Sequence, residues 1–365
     1  MVLMMRRLLC IAMLLLPCAA GAGQRVANAS RADASGATAL ARDPKALLAL
    51  GARSDGLALS GLRNWTITID YQLYDAQGLR TEAGVFQEWW AGPDDYRMRF
   101  SRPGYHLDAW VTPKGSYSIG DPNLPMAERL VYRWMMEPIP PRMNTDGYEL
   151  WRRVMLLPNS VQFPCVELNL AHPAPEDPDP INPQYCFDSS QPVLRMADTE
   201  DGERIVYRAL AALRAQYLPG EFVARVGRMP FLSARLVGGR IYAKLPEGVL
   251  TPAAQAVPGP RPETAVLYMS TGHALDAHAI SRPMLSQAAI NSRMENGMES
   301  LAYAVTIGTD GKVSDVRVIG DNAPEIVDMV TKELKQWRFR PFMVDGVAAP
   351  VRARIWLNFE KQLGE

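Results

Sequence analysis

The sequence predicts an α+β protein: an antiparallel curled sheet, half-barrel-like, with one or two helices, followed by a small C-terminal unit of strand, strand, helix and strand. Three observations predict it. Apolar and polar residues alternate one by one from Trp65 onward, helical spacing takes over at Pro122–Met136 and again after Pro324, and a Pro-rich stretch separates the two patterns. The 365 residues suit two domains, each large enough to bury its own core.

The chain opens with the layout of an export signal. Basic Arg6 and Arg7 precede an apolar run from Leu8 to Leu16, and small residues end at Ala20-Gly21-Ala22. Cleavage after Ala22 would send residues 23–365 to the periplasm. The run is shorter than the roughly 20 residues that span a bilayer, so an inner-membrane anchor is the alternative. Cys18 raises a lipoprotein reading, against which Pro17 stands directly before it. Residues 23–56 read as a flexible lead-in, with a short amphipathic helix around Lys45–Leu50.

Trp65, Ile67, Ile69, Tyr71 and Leu73 alternate with polar neighbours, and after the turn Asp75-Ala76-Gln77-Gly78 the period resumes through Ala83, Val85, Gln87 and Trp89. Strands then follow at Tyr96–Phe100, Leu107–Thr112 and Ser116–Ile119, with Gly- and Pro-bearing turns between them, so a meander is expected. The helix over Pro122–Met136 places Leu124, Ala127, Leu130, Val131 and Trp134 on one face, and Pro138 ends it. A second helix is expected around Asp146–Val154. Further strands fall at 161–170, 185–187, 193–196, 204–208, 221–226, 232–236 and 239–245, with Thr199-Glu200-Asp201-Gly202 as a hairpin turn. The sheet domain therefore covers 57–247, a Pro-rich linker 248–282, and the C-terminal domain 283–365.

The mature chain has one cysteine pair. Cys165 and Cys186, even in number and in an oxidising compartment, read as a disulfide closing a loop with five prolines.

Two resemblances add to this reading. The runs Tyr71-Gln72-Leu73-Tyr74-Asp75 and Gly84–Gly92, with the strand-rich layout, resemble exported lipoprotein carriers of the LolA/LolB type. That resemblance implies a curled sheet plugged by helices, with a cavity for an acyl chain or another apolar ligand; otherwise Trp65, Trp89, Trp90, Trp110 and Trp134 simply build a core. The second covers about 283–362. Val305–Ile319 (V-T-I-G-T-D-G-K-V-S-D-V-R-V-I), a helix leading into W-R-F-R-P, and a strand ending Leu357-Asn358-Phe359 are similar to the C-terminal domain of TonB-family energy transducers. It implies docking of an outer-membrane or periplasmic protein by strand addition in envelope transport. The contact residues would be Val351, Ala353, Ile355, Leu357 and Phe359 on an open final strand, with Trp337, Phe339 and Pro341 shaping the sheet beside it. The N-terminal apolar run lacks the family's histidine, which puts coupling to a proton gradient in doubt.

Composition and motifs exclude other classes. Removing Arg6 and Arg7 leaves 37 basic against 39 acidic side chains, interspersed, so nucleic acid is not the expected partner. No nucleophile elbow, phosphate loop or dinucleotide fingerprint occurs, and His106, His172, His273 and His278 have no metal-ligand spacing. The expectation is a protein-binding or lipid-binding protein with no catalytic residues, metal or cofactor; a hydrolase with an unrecognised site is the third reading.

Overall fold

The computed structural model describes residues 42–57, 61–139, 148–156, 161–171, 182–214, 216–269, 275, 277–283, 300–319, 324–344 and 346–358. The signal segment, Cys10, Cys18, His172, His273 and Phe359 lie outside them. No helix among the described residues is long and apolar enough to cross a membrane.

The helices are α1 (Pro44–Ser54), α2 (Met126–Met136) and α3 (Pro324–Leu334). The first strands are β1 (Trp65–Tyr74), β2 (Arg80–Gly92), β3 (Asp95–Arg102), β4 (Tyr105–Thr112) and β5 (Gly115–Gly120). After α2 come β6 (Tyr148–Leu156), β7 (Gln162–Leu170), β8 (Gln184–Phe187), β9 (Leu194–Asp198), β10 (Glu203–Leu213), β11 (Gln216–Val226) and β12 (Met229–Ile241). The remainder are β13 (Val257–Pro258), β14 (Leu267–Met269), β15 (Ala279–Ser281), β16 (Ser300–Ile307), β17 (Val313–Ile319), β18 (Arg338–Phe339), β19 (Phe342–Val344), β20 (Val347–Ala349) and β21 (Val351–Asn358). Strands far outweigh helices, so the protein is mostly β and the α+β expectation is corrected.

One antiparallel sheet of thirteen strands, in the order β13-β5-β4-β3-β2-β1-β12-β11-β10-β9-β8-β7-β6, dominates the molecule. Register breaks at Thr68/Ile69, Gln72/Tyr74, Trp90/Gly92 and Tyr207/Ala209 bend and twist it, as bulges do. The sheet curls, and α2 fills its concave face. Trp65, Ile67, Ile69 and Tyr71 of β1 and Phe86 and Trp90 of β2 point to that face, and the alternation that predicted the strands is the alternation that buries them. Nine of the eleven α2 residues are buried. One side of the helix lies on β11 and β12, and Arg129 on another donates from Nη1 to the Ala265 carbonyl at 2.7 Å.

The Asp146–Val154 helix expectation is overturned: β6 pairs with β7 from Tyr148↔Leu170 to Leu156↔Gln162. Residues 232–236 and 239–245, read as two strands, form the single β12 up to Ile241, with its irregularity opposite Thr68/Ile69. Cys165 and Cys186 form the expected disulfide, facing each other across the β7–β8 pair. The Pro-rich segment is more than a spacer, because β13 adds to the border of β5 and β14 adds to β21.

A second sheet, β14-β21-β16-β17, holds its own core of Tyr303, Val305, Ile307, Val330, Leu334, Phe339 and Phe342.

Candidate functional site

The two sheets meet at the N-terminal end of α2, and a cleft of about 530 Å³ remains between them. Leu73 of β1, Leu124, Met126 and Leu130 at the head of α2, and Phe231 and Leu232 of β12 make its apolar wall. Thr306, Ser314, Asp315, Arg317 and Arg352 of the second sheet make its polar floor.

The head of α2 is fixed by a buried carboxylate. Glu128 Oε1 accepts from Tyr71 Oη at 2.8 Å and from Arg102 Nε at 2.6 Å. Tyr71 reaches it because Gly84 lies opposite on β2, where a Cβ would sit 2.2–2.6 Å from the Tyr71 ring. Burial, reinforced by the Glu128 charge, pushes the Tyr71 hydroxyl well up.

The floor is a cluster of ions. Fully buried Arg352 donates from Nη2 to Glu203 Oε1 at 2.5 Å and from Nη1 to Thr306 Oγ1 at 2.7 Å. Its Nη1 lies 3.2 Å from Asp315 Oδ2, and its Nε 3.4 Å from Asp201 Oδ2. Arg317 binds Asp315 through Nε at 2.9 Å and spans the junction, donating to the carbonyls of Tyr74 and Asp75 at 2.8 and 3.0 Å. Both guanidinium carbons lie over the Phe231 ring, at 5.2 Å for Arg317 and 5.4 Å for Arg352. Burial, with Asp201 nearby, pushes the Glu203 carboxyl up to about 8 against the pull of Arg352.

The structure places the expected contact residues elsewhere. Val351, Ala353, Ile355 and Leu357 point into the second core, where Trp337 and Phe339 are also buried, while Pro341 is exposed. The final strand is not open at its start: Val351, Arg352 and Ala353 pair with β16 on one side and with Leu267, Tyr268 and Met269 of β14 on the other. Sequence reasoning passed over Arg352 and Arg354, the alternate residues of that strand, which resemble a solvent face and are buried. The signal available was the turn Glu200-Asp201-Gly202-Glu203, with three carboxylates in four residues and no cation among them.

The tryptophans do not gather in one pocket. Trp65 and Trp90 stack at 5.6 Å on the concave face, whereas Trp89 and Trp110 flank the Arg97 guanidinium at 5.0 and 4.7 Å on the other. Two smaller cavities adjoin α2. One of about 360 Å³ is lined by Arg133, Trp134, Tyr148, Tyr185 and Tyr268, and one of about 230 Å³ by Trp90, Tyr96, Tyr132 and Arg261. His106 is exposed and His278 stacks on Phe342 at 4.3 Å. Among the described residues no group of three or more acidic, histidine or cysteine side chains could hold a metal.

No family model matches the chain, and no curated protein does. The resemblance of residues 283–362 to TonB-family domains therefore has no family match behind it. Solved structures similar to the chain include a LolA superfamily protein from Nitrosomonas europaea, at 12% identity over 58% of this chain and 99% of that one, with a TM-score of 0.36. A DUF1329 family protein from Desulfovibrio piger is 9% identical over 57% of this chain and 97% of that one, with a TM-score of 0.38. MucB is 12% identical over 59% and 63%, with a TM-score of 0.24.

Proposed function

We propose that the protein is an exported binding protein or carrier for an amphiphile, whose apolar chain lies in the cleft at the head of α2. The observation that carries the reading is the cleft itself. Its volume of about 530 Å³ falls within the range of sites for small ligands, and it sets an apolar wall against a polar floor. The floor also selects the head group. All three nitrogens of Arg317 and all three of Arg352 already face carboxylates, carbonyls or a hydroxyl, and Asp121 and Asp315 balance them along the lining. A carboxylate or phosphate head would find no spare cation there, so a head that is polar and uncharged fits best. The role is binding rather than catalysis, in the periplasm, with the strands of the second sheet serving to close the cleft.

The test is displacement of a fluorescent acyl probe from the purified full chain by a long-chain monoacylglycerol and by the fatty acid of equal length. The neutral lipid is expected to displace the probe at lower concentration. Absence of probe binding to the folded protein would refute the reading.

A further inference from the structure

The two borders of the large sheet differ. At one, β13 covers β5. At the other, β6 is the last strand, and no described residue pairs with its outer side. It carries Trp151, Val154 and Leu156 at 45%, 62% and 65% exposure, and it has neither proline nor lysine to discourage pairing. On its outward face Glu149 Oε2 accepts from Trp151 Nε1 at 3.3 Å, Arg153 lies 5.0 Å over the Trp151 ring, and Arg153 Nε is 2.9 Å from Glu167.

We propose that β6 pairs antiparallel with β6 of a second copy of this chain, about a two-fold axis at Trp151. Charge fixes the register. An axis at Trp151 sets Glu149 of each copy opposite Arg153 of the other, Trp151 opposite Trp151, and Tyr148 opposite Val154. Moving the axis to Arg152 sets Arg152 against Arg152 and Glu149 against Met155, and moving it to Leu150 sets Glu149 against Trp151 and Arg152 against Tyr148, so either shift loses both opposite-charge pairs. Opposite charges facing across strands stabilise a pair, and like charges destabilise it. Arg153 keeps its bond to Glu167 in this arrangement, since a guanidinium has five donors. The interface uses the same patch on both copies, so it closes at two and joins two curled sheets into one without leaving a further β6 border.

The full chain is tested by light scattering after size exclusion, at low and high micromolar concentration, with the wild type and two variants. The wild type is expected at the mass of two chains. Glu149→Arg, which turns both attractive pairs repulsive, should weaken association on the order of tenfold while the melting temperature holds. Trp151→Cys, opposite itself on the axis, should cross-link two chains under mild oxidation, while Glu149→Cys should not. A single-chain mass at every concentration would overturn the proposal. So would a dimer indifferent to Glu149→Arg, a folded Trp151→Cys protein that fails to cross-link, or a monomer that sediments with anionic vesicles through Trp151.

Discussion

Beneath the middle of α2 and at its N-terminal end, the concave face of one sheet does two different things. In the middle, Phe86 stacks on Phe100 at 4.4 Å, Tyr132 meets Phe86 at 5.9 Å, and Trp134 stands edge-on to Phe222 at 5.4 Å. Rings long enough to bridge helix and sheet leave a filled core. At the helix head the residues are Leu124, Met126, Leu130 and Leu232, which are too short to close the gap, and the opposing surface is an ionic layer from another sheet. Phe231 marks the boundary, with Trp134 at 5.8 Å on one side and the two arginines on the other. A curled sheet is thus filled or left open according to what is laid against it.

The comparison breaks most readily at the ionic layer. Arg352→Ala would strand Glu203 and deprive Asp201 of its cation, while Asp315 keeps Arg317, and its expected cost is about 3–5 kcal/mol in denaturant unfolding at pH 8. The loss should be smaller at pH 5, where Glu203 holds a proton and needs no counter-charge. Equal losses at both values would mean that Glu203 does not titrate in this range. Away from the cleft, replacing Cys165 and Cys186 together with serine should lower stability by about 3 kcal/mol and leave probe binding intact. Loss of binding at a temperature where that variant is folded would show the two regions to be coupled. Gly84→Ala pushes a methyl into the Tyr71 ring and should cost about 1–3 kcal/mol, seen as a lower melting temperature.

A separate effect is on pH dependence. Glu203, raised from 4.5 to about 8, and Asp55, raised by burial from 3.8 to about 7, hold protons in the folded chain that the unfolded chain has released. Stability should therefore fall as pH rises from about 4 to 8 and level off beyond. Asp188, where Ser190 and Arg195 overcome the effect of burial, is held below the usual carboxylate range and acts in the opposite sense only in stronger acid. Glu203→Gln should flatten the upper part of the slope, and an unchanged slope in thermal melts would contradict the assignment.

Much of the fold was legible because burial on one face writes itself as alternation, as in Trp65-Thr66-Ile67-Thr68-Ile69. Strand β6 was misread for the same reason. It overhangs the core, so Arg152, Val154 and Leu156 are exposed on the face that Tyr148 and Leu150 partly bury. The two-residue period fades, and Leu150, Trp151, Val154 and Met155 imitate helical spacing. Val257-Pro258 looked like linker because proline is foreign to central strands, yet a border strand tolerates it. The cleft was hidden by distance along the chain. Arg317 and Tyr74 are 243 residues apart and Arg352 and Glu203 149, and no local pattern pairs them. The apolar residues of β21 attracted attention as a contact surface, while the arginines between them build the junction.

The central claim is that the gap at the helix head is a ligand site rather than loose packing. Leu130→Trp, which extends the wall into that space, tests it most directly when the acyl probe is titrated into wild type and variant side by side. The variant is expected to keep or raise the melting temperature and to lose the probe. A variant that melts as the wild type does and binds the probe with unchanged affinity would place the ligand elsewhere and contradict the account.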